Sequence, residues 1–281
     1  MLSPADRLRE EISTIPAMEE VGYSPSERVW REHVNMIRNY ALRDDPNTFL
    51  TWPPIISTMA AAGHEDWSGI SRAYLESLPD WETRWKPVMT ELPTGTPTYH
   101  GTSPPTSSAL VIATHCAALL EQKMGIKISD LSLIVEFGGG YGCMCRVLYS
   151  LGFQGTYINF ELPMMAALMR YYLAEIGLSD KSILYSSDIA QLSGLLEQHQ
   201  DENSLFTSAW ALSESPLSLR SQLLPLLKQF RYLYLIYQPR FREVDNQDFF
   251  ARLPLAVGNM SWQTWSIEHL GATALAGVST H

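Results

Sequence analysis

The chain has 281 residues, 46% hydrophobic and 11% aromatic, with 20 basic against 30 acidic side chains and a formal charge of −10. That apolar share can bury one large or two modest cores, and the acidity repels a phosphate backbone, which argues against a nucleic-acid substrate. No run approaches the roughly 20 apolar residues of a membrane span, and the first ten residues hold no apolar signal core, so the expectation is a cytoplasmic protein.

From Pro4 to about Leu92 the pattern is helical, and Ser26 to Tyr40 sets Val29, His33, Met36, Ile37 and Tyr40 on one predicted stripe. Pro53, Pro54, Pro79, Pro87 and Pro93 cut this region into short pieces, and Trp52, Trp67, Trp81 and Trp85 are too dense for a linker. Residues 1–98 therefore read as a packed helical cap that covers a substrate and offers a surface for a homo-oligomer. The turn-rich stretch Thr94 to Pro105 is the junction, and a helix over Ser107 to Lys123 follows it.

Beyond the junction, apolar runs at Leu131 to Phe137, Thr156 to Phe160, Ser182 to Tyr185, Leu205 to Ala209 and Tyr232 to Tyr237 read as strands. Helical stretches at Gly142 to Leu151, Met164 to Ile176, Ile189 to His199 and Leu217 to Lys228 alternate with them. A short helix near Gln247 to Leu253 precedes two last strands, Trp262 to Ile267 and Thr273 to Val278, with a turn at His269 to Gly271 between them. Such alternation predicts an α/β fold over residues 99–281, with ligands bound at the carboxyl ends of the parallel strands.

The most informative stretch joins the first strand to its helix: Glu136-Phe-Gly-Gly-Gly-Tyr-Gly142. Gly138, Gly140 and Gly142 let the backbone bend and approach a ligand, and the following helix points its positive end there. The dinucleotide order G-x-G-x-x-G fails in both registers, because Cys143 or Cys145 takes the third place. Glu136 would repel a cofactor phosphate but suits a cofactor with an ammonium group and a sulfonium, as in S-adenosylmethionine. Three cysteines give no disulfide framework, and Cys143-Met-Cys145 lacks the companions of a zinc site, so these read as small packed residues and no metal is expected.

This loop resembles the first motif of class I S-adenosylmethionine-dependent methyltransferases. Tyr157-Ile-Asn-Phe-Glu-Leu-Pro163 is similar to the acid-Leu-Pro signature of many small-molecule O-methyltransferases, with Glu161 standing 19 positions beyond Gly142. Ser186-Ser-Asp-Ile189 resembles the family's adenine-contacting turn, and Leu205 to Glu214 resembles its fourth strand and substrate-facing end. Within the superfamily, Gly-Gly-Gly-Tyr-Gly, Leu212-Ser-Glu214, Tyr237-Gln-Pro-Arg-Phe241 and Val244-Asp-Asn246 look most like the sugar O-methyltransferases. The resemblance implies a Rossmann-like, seven-stranded, mostly parallel sheet whose last strand is antiparallel.

It also implies roles. Glu136, Gly138, Gly139, Gly140 and Gly142 would hold the methionine part of the cofactor. Glu161 would take the ribose hydroxyls, Leu162 would pack on the adenine, and Asp188 with Ile189 would contact it, although Asp188 also suits a helix N-cap. Trp210, with Ser208 nearby, lies beside the methionine part or in the core. Methylating a hydroxyl needs a base, for which Glu214 and His100 are the candidates; His115, on an apolar helix, reads as core. Tyr141, Arg240 and Asn246 are the candidate contacts to the acceptor, a sugar or other small polar or secondary-metabolite compound, since tryptophans stack on sugar faces and on flat apolar rings alike. A nitrogen acceptor, a non-catalytic cofactor-binding scaffold and a nicotinamide oxidoreductase are the competing readings.

Overall fold

The computed structural model describes residues 2–19, 24–60, 65–101, 103–199 and 203–280. Proline opens several of the N-terminal helices: Pro4–Thr14, Pro25–Arg43 and Pro53–Thr58 each carry it in the first turn, where its fixed φ fits and its missing N–H costs nothing. Ser24 and Glu27 form a reciprocal capping box at the second of these. The helix Glu65–Glu76 and the turn Trp81–Trp85 complete the region.

On the helix Pro25–Arg43 the buried residues are Ser26, Arg31, Val34, Ile37 and Ala41, so of the expected stripe only Ile37 is fully covered, and Met36 is exposed. The helix is covered on more than one side. It packs against Pro4–Thr14, Pro53–Thr58 and the sheet-covering helix Pro163–Glu175, which a single-face periodicity cannot anticipate.

Nine strands follow among the described residues: β1 Leu133–Phe137, β2 Thr156–Phe160, β3 Ile183–Ser186, β4 Ser204–Ala209, β5 Tyr232–Tyr237, β6 Arg240–Phe241, β7 Val244–Asp245, β8 Met260–Ile267 and β9 Ala272–Ser279. Seven form one sheet in the order β3-β2-β1-β4-β5-β9-β8, and β9 runs antiparallel to both its neighbours. The fold is thus the Rossmann-like, seven-stranded arrangement the sequence implied, with the antiparallel strand last in the chain. The pair β6–β7 is a separate two-stranded hairpin.

Alternation along the strands builds two cores. Ile134 and Tyr157 face the layer made by the helices Ser108–Met124, Cys143–Ser150 and Pro163–Glu175 together with the N-terminal helices. Val135, Phe137 and Ile158 face the helices Ile189–Gln198, Leu217–Leu227 and Asn246–Val257. The last of these runs one turn past its expected end at Leu253, because Pro254 sits near the helix terminus and forfeits a single backbone bond. Ser108–Met124 is buried from Ser108 through Leu120, sandwiched between the N-terminal helices and the sheet.

The neighbours of β1 are β2, which follows it, and β4, reached in the opposite direction. The connections therefore diverge at the carboxyl end of β1, leaving a crevice there. All the motif residues singled out between Glu136 and Glu214 lie at or near this edge of the sheet.

Candidate active site

Register decides where Glu136 points. Ile134 pairs with Tyr157 across the parallel β1–β2 ladder, so Glu136, two residues on, shares a face with Tyr157 and accepts a hydrogen bond from its hydroxyl. Glu136 is buried, and burial lifts its carboxyl to about 7, against the lowering effect of the tyrosine and with a further push from the charge of Glu161.

Glu161 follows β2. Its carboxylate accepts from the backbone N–H of Gly140 at 2.9 Å and of Leu162 at 2.8 Å. It is partly open to the cavity while protein crowds its other sides, and burial raises it to about 7 despite those two donors. Each carboxylate oxygen keeps a second lone pair, so two hydroxyls of a ligand can still donate to it.

The glycines between the two acids leave space that a side chain would fill. A Cβ on Gly138, whose φ is +79°, would lie 2.0 Å from the Ala211 Cβ; one on Gly139 would lie 2.6 Å from both the Glu136 and Asn159 side-chain oxygens. Gly139 N–H donates to Asn159 Oδ1 at 3.2 Å, so the loop is pinned from β2. Gly138→Ala is therefore expected to destabilise the fold by about 2–4 kcal/mol through overpacking and backbone strain. A fall in melting temperature measures this. Gly142 serves a different purpose: it is absent from the cavity wall, and its missing side chain admits Met169 and Leu173 of the neighbouring helix.

These residues border a cavity of about 850 Å³, which lies within the usual range for small-ligand sites. Glu136, Gly138, Gly139, Gly140, Tyr141, Glu161, Leu162, Asp188, Ile189, Trp210 and Glu214 all line it. Asp188 also caps the helix Ile189–Gln198, its carboxylate accepting from Gln191 N–H at 2.8 Å, as the capping reading expected. Trp210 has φ +65°, a costly conformation for a tryptophan, held by its N–H donating to Ile236 O at 2.7 Å. Ser208 is not in the wall; its hydroxyl bonds Phe137 O and Leu212 N–H and so ties β4 to β1.

Glu214 receives the Trp30 indole N–H at 3.0 Å and the Gln238 amide at 3.1 Å. Burial raises its carboxyl above the ordinary range, while those two donors and the nearby His33 act the other way. The Gln238 carbonyl in turn accepts from Ser213 Oγ at 2.8 Å, which fixes the amide. Tyr141 is buried and packs edge-on against Phe49 and Tyr172, so it is a wall of the cavity rather than an open gate.

Three expected positions fall elsewhere. His100 pairs with Thr106 and lines a separate crevice of about 10 Å³ beside Tyr141, apart from the cavity that holds Glu214. Arg240 points outward from the β6–β7 hairpin, 69% exposed and 3.7 Å from Asp245. Asn246 is fully buried and accepts from Arg220 at 2.8 Å beneath the helix it opens. Neither touches the cavity, and a polyol there would reach neither. His115 is buried, as expected, beside Ser71 and Tyr74. Cys145 is buried, and the half-buried Cys143, which does line the cavity, has its thiol pushed up to about 12 by burial.

The N-terminal region adds wall residues that sequence spacing did not single out: Met18, Glu27, Trp30, Ile56 and Met59. Among the described residues there is no group of three potential metal ligands, and no helix is long and apolar enough to cross a membrane.

No family model and no curated protein matches this chain. Solved structures with a similar fold include a SAM-dependent methyltransferase from Aquifex aeolicus, 15% identical over 57% of this chain and 88% of that one, with a TM-score of 0.43. Magnesium protoporphyrin IX methyltransferase from Synechocystis PCC 6803 with bound SAH is 14% identical over 76% of this chain and all of that one, TM-score 0.45. PigF with SAH is 12% identical over 86% of this chain and 77% of that one, TM-score 0.42.

Proposed function

We propose that the protein is an S-adenosylmethionine-dependent methyltransferase acting on a hydroxyl of a small acceptor, with residues 1–98 forming the lid of the acceptor side. One observation carries the reading: two carboxylates, the buried Glu136 and the half-buried Glu161, stand at the ends of adjacent parallel strands on either side of a glycine loop in which a side chain would clash. A phosphate-bearing dinucleotide would meet like charge at that place, whereas an ammonium and two ribose hydroxyls are what the pair can accept. The residues present therefore fit the cofactor: Glu136 and the loop for its amino-acid part, Glu161 for its ribose, Leu162, Asp188 and Ile189 for its adenine.

When bound, the cofactor would supply an electrophilic methyl group on a sulfonium, with the thioether as its leaving group. The chain's own part is to orient the acceptor, exclude water and take up the hydroxyl proton. Glu214 suits the last task. Its raised carboxyl is a better base than an exposed one, and Trp30 and Gln238 hold it in place.

Calorimetry with S-adenosylmethionine, S-adenosylhomocysteine and NAD tests the reading; failure of both adenosyl compounds to bind overturns it. The pH dependence of that binding has a definite sign. The ligand binds the ionised carboxylates, and in the free protein these are held near 7 by burial. Affinity should accordingly weaken as pH falls, by about 10-fold to 100-fold between pH 7.5 and 6 as one or both groups take up protons.

A further inference from the structure

Building on that reading, we infer that the acceptor is a flat, apolar ring compound with a phenol-type hydroxyl and no anionic group. The charge of the cavity wall is the first observation. Its ionisable acids are Glu27, Glu136, Glu161, Asp188 and Glu214, and among the described residues lining it there is no lysine, arginine or histidine. A phosphorylated, sulfated or carboxylated acceptor, including a sugar carried on a nucleoside diphosphate, would be desolvated here against like charge with no basic side chain among the described wall residues; the nearby His33 stands behind Ser57, its ring bonded to Val29 O and Ser57 Oγ.

The second observation is what remains once the cofactor residues are set aside. The wall there is contributed by Trp30, Ile56, Met59, Trp67, Ile112 and Leu270, from the N-terminal helices, the helix Ser108–Met124 and the turn before β9. Tryptophan faces and methionine thioethers favour flat apolar surfaces and adapt to their edges. A free sugar would bring several hydroxyls to this wall, and each one left without a partner costs roughly tenfold or more in affinity.

The third observation is how few polar groups are available, and how they are engaged. The Gln238 amide is committed to Glu214 and Ser213, and the Trp30 N–H to Glu214. Glu214 is acceptor-only when ionised, and each of its oxygens keeps a second lone pair beside the donor it already holds, so it can receive the donor that a phenol-type hydroxyl offers. The other polar side chains of that wall, Ser57, Thr58, Ser215 and Gln222, give their donors to Pro54 O, Pro54 O, Leu212 O and Ser218 O, so Glu214 is the anionic anchor of a slot whose remaining surface is largely apolar.

The test is binding to the protein saturated with S-adenosylhomocysteine, followed by calorimetry and tryptophan fluorescence, so that it does not depend on turnover. The probes are 2-naphthol, 6-hydroxy-2-naphthoate, 6-hydroxynaphthalene-2-sulfonate and methyl glucoside. 2-Naphthol should bind at least tenfold more tightly than either anionic analogue and than the glycoside, and Trp67→Ala should weaken it about tenfold while leaving S-adenosylhomocysteine binding within twofold. Equal or tighter binding of an anionic probe or of the glycoside overturns the inference, as does failure of 2-naphthol to bind. Failure of S-adenosylhomocysteine itself would instead sink the cofactor reading, so the two failures are separable.

Discussion

Replacing Glu161 by Ala should weaken S-adenosylmethionine and S-adenosylhomocysteine by roughly 100-fold, the loss of charge-assisted hydrogen bonds to two hydroxyls worth about 3 kcal/mol together. The substitution also leaves the Gly140 and Leu162 N–H groups without their carboxylate, and those donors are what set the loop and the start of the following helix. Part of the effect would therefore reach the loop itself. Glu161→Gln separates the two contributions: its amide oxygen can still accept one backbone donor, so the fold should hold while affinity drops by an intermediate amount. Titration calorimetry with both ligands reads the result, and wild-type affinity in the alanine variant would remove Glu161 from the ribose site.

Glu214→Gln is expected to lower the methyl-transfer rate by about 10²-fold to 10⁴-fold, the range for losing a positioned general base, while cofactor affinity stays within about twofold. The replacement is nearly isosteric, so the Trp30 indole keeps an acceptor and the lid contact survives. A single-turnover assay with 2-naphthol measures the rate, and the pH profile supplies a readout that a merely structural role would not move. In the parent enzyme the rate should fall with acidity as the Glu214 carboxyl takes up a proton, at a pH above the ordinary carboxylate range because burial raises it. That acidic limb should vanish in the glutamine variant. A parent-like rate and profile would rule Glu214 out as the base.

The two substitutions probe parts of the site that differed in how visible they were from the chain. Glu136, the glycines and Glu161 are close in sequence and separated by one helix, so strand, turn and strand place them together almost automatically. Leu162, Asp188 and Ile189 reach the same cavity by the next turn of that repeat. Glu214 was visible as an acid past a strand, but its partner was not. Trp30 lies 184 positions away, on a helix that was read for its apolar stripe.

The misplaced residues share a cause. His100 looked exposed to a ligand because it sits among glycines and prolines, yet a bridge to Thr106 turns that loop beside Tyr141. Arg240 and Asn246 follow β5 as residues of a site do, but the β6–β7 hairpin turns the first outward and Arg220 draws the second into the core. Polar residue types just beyond a strand end are equally suited to ligands, hairpins and caps. Only the path of the backbone separates these fates.

By itself the sequence determined the β/α order and the closeness of Glu136, the glycines and Glu161, because these follow from apolar periodicity, glycine conformation and short spacing along the chain; the antiparallel last strand was implied by the family resemblance alone. The tertiary structure alone decided which helices roof the cavity, that Glu214 is gripped by Trp30 and Gln238, and that the charged side chains around it are acids. Those features depend on contacts between segments far apart in sequence, whose geometry is set by packing and has no local period to betray it.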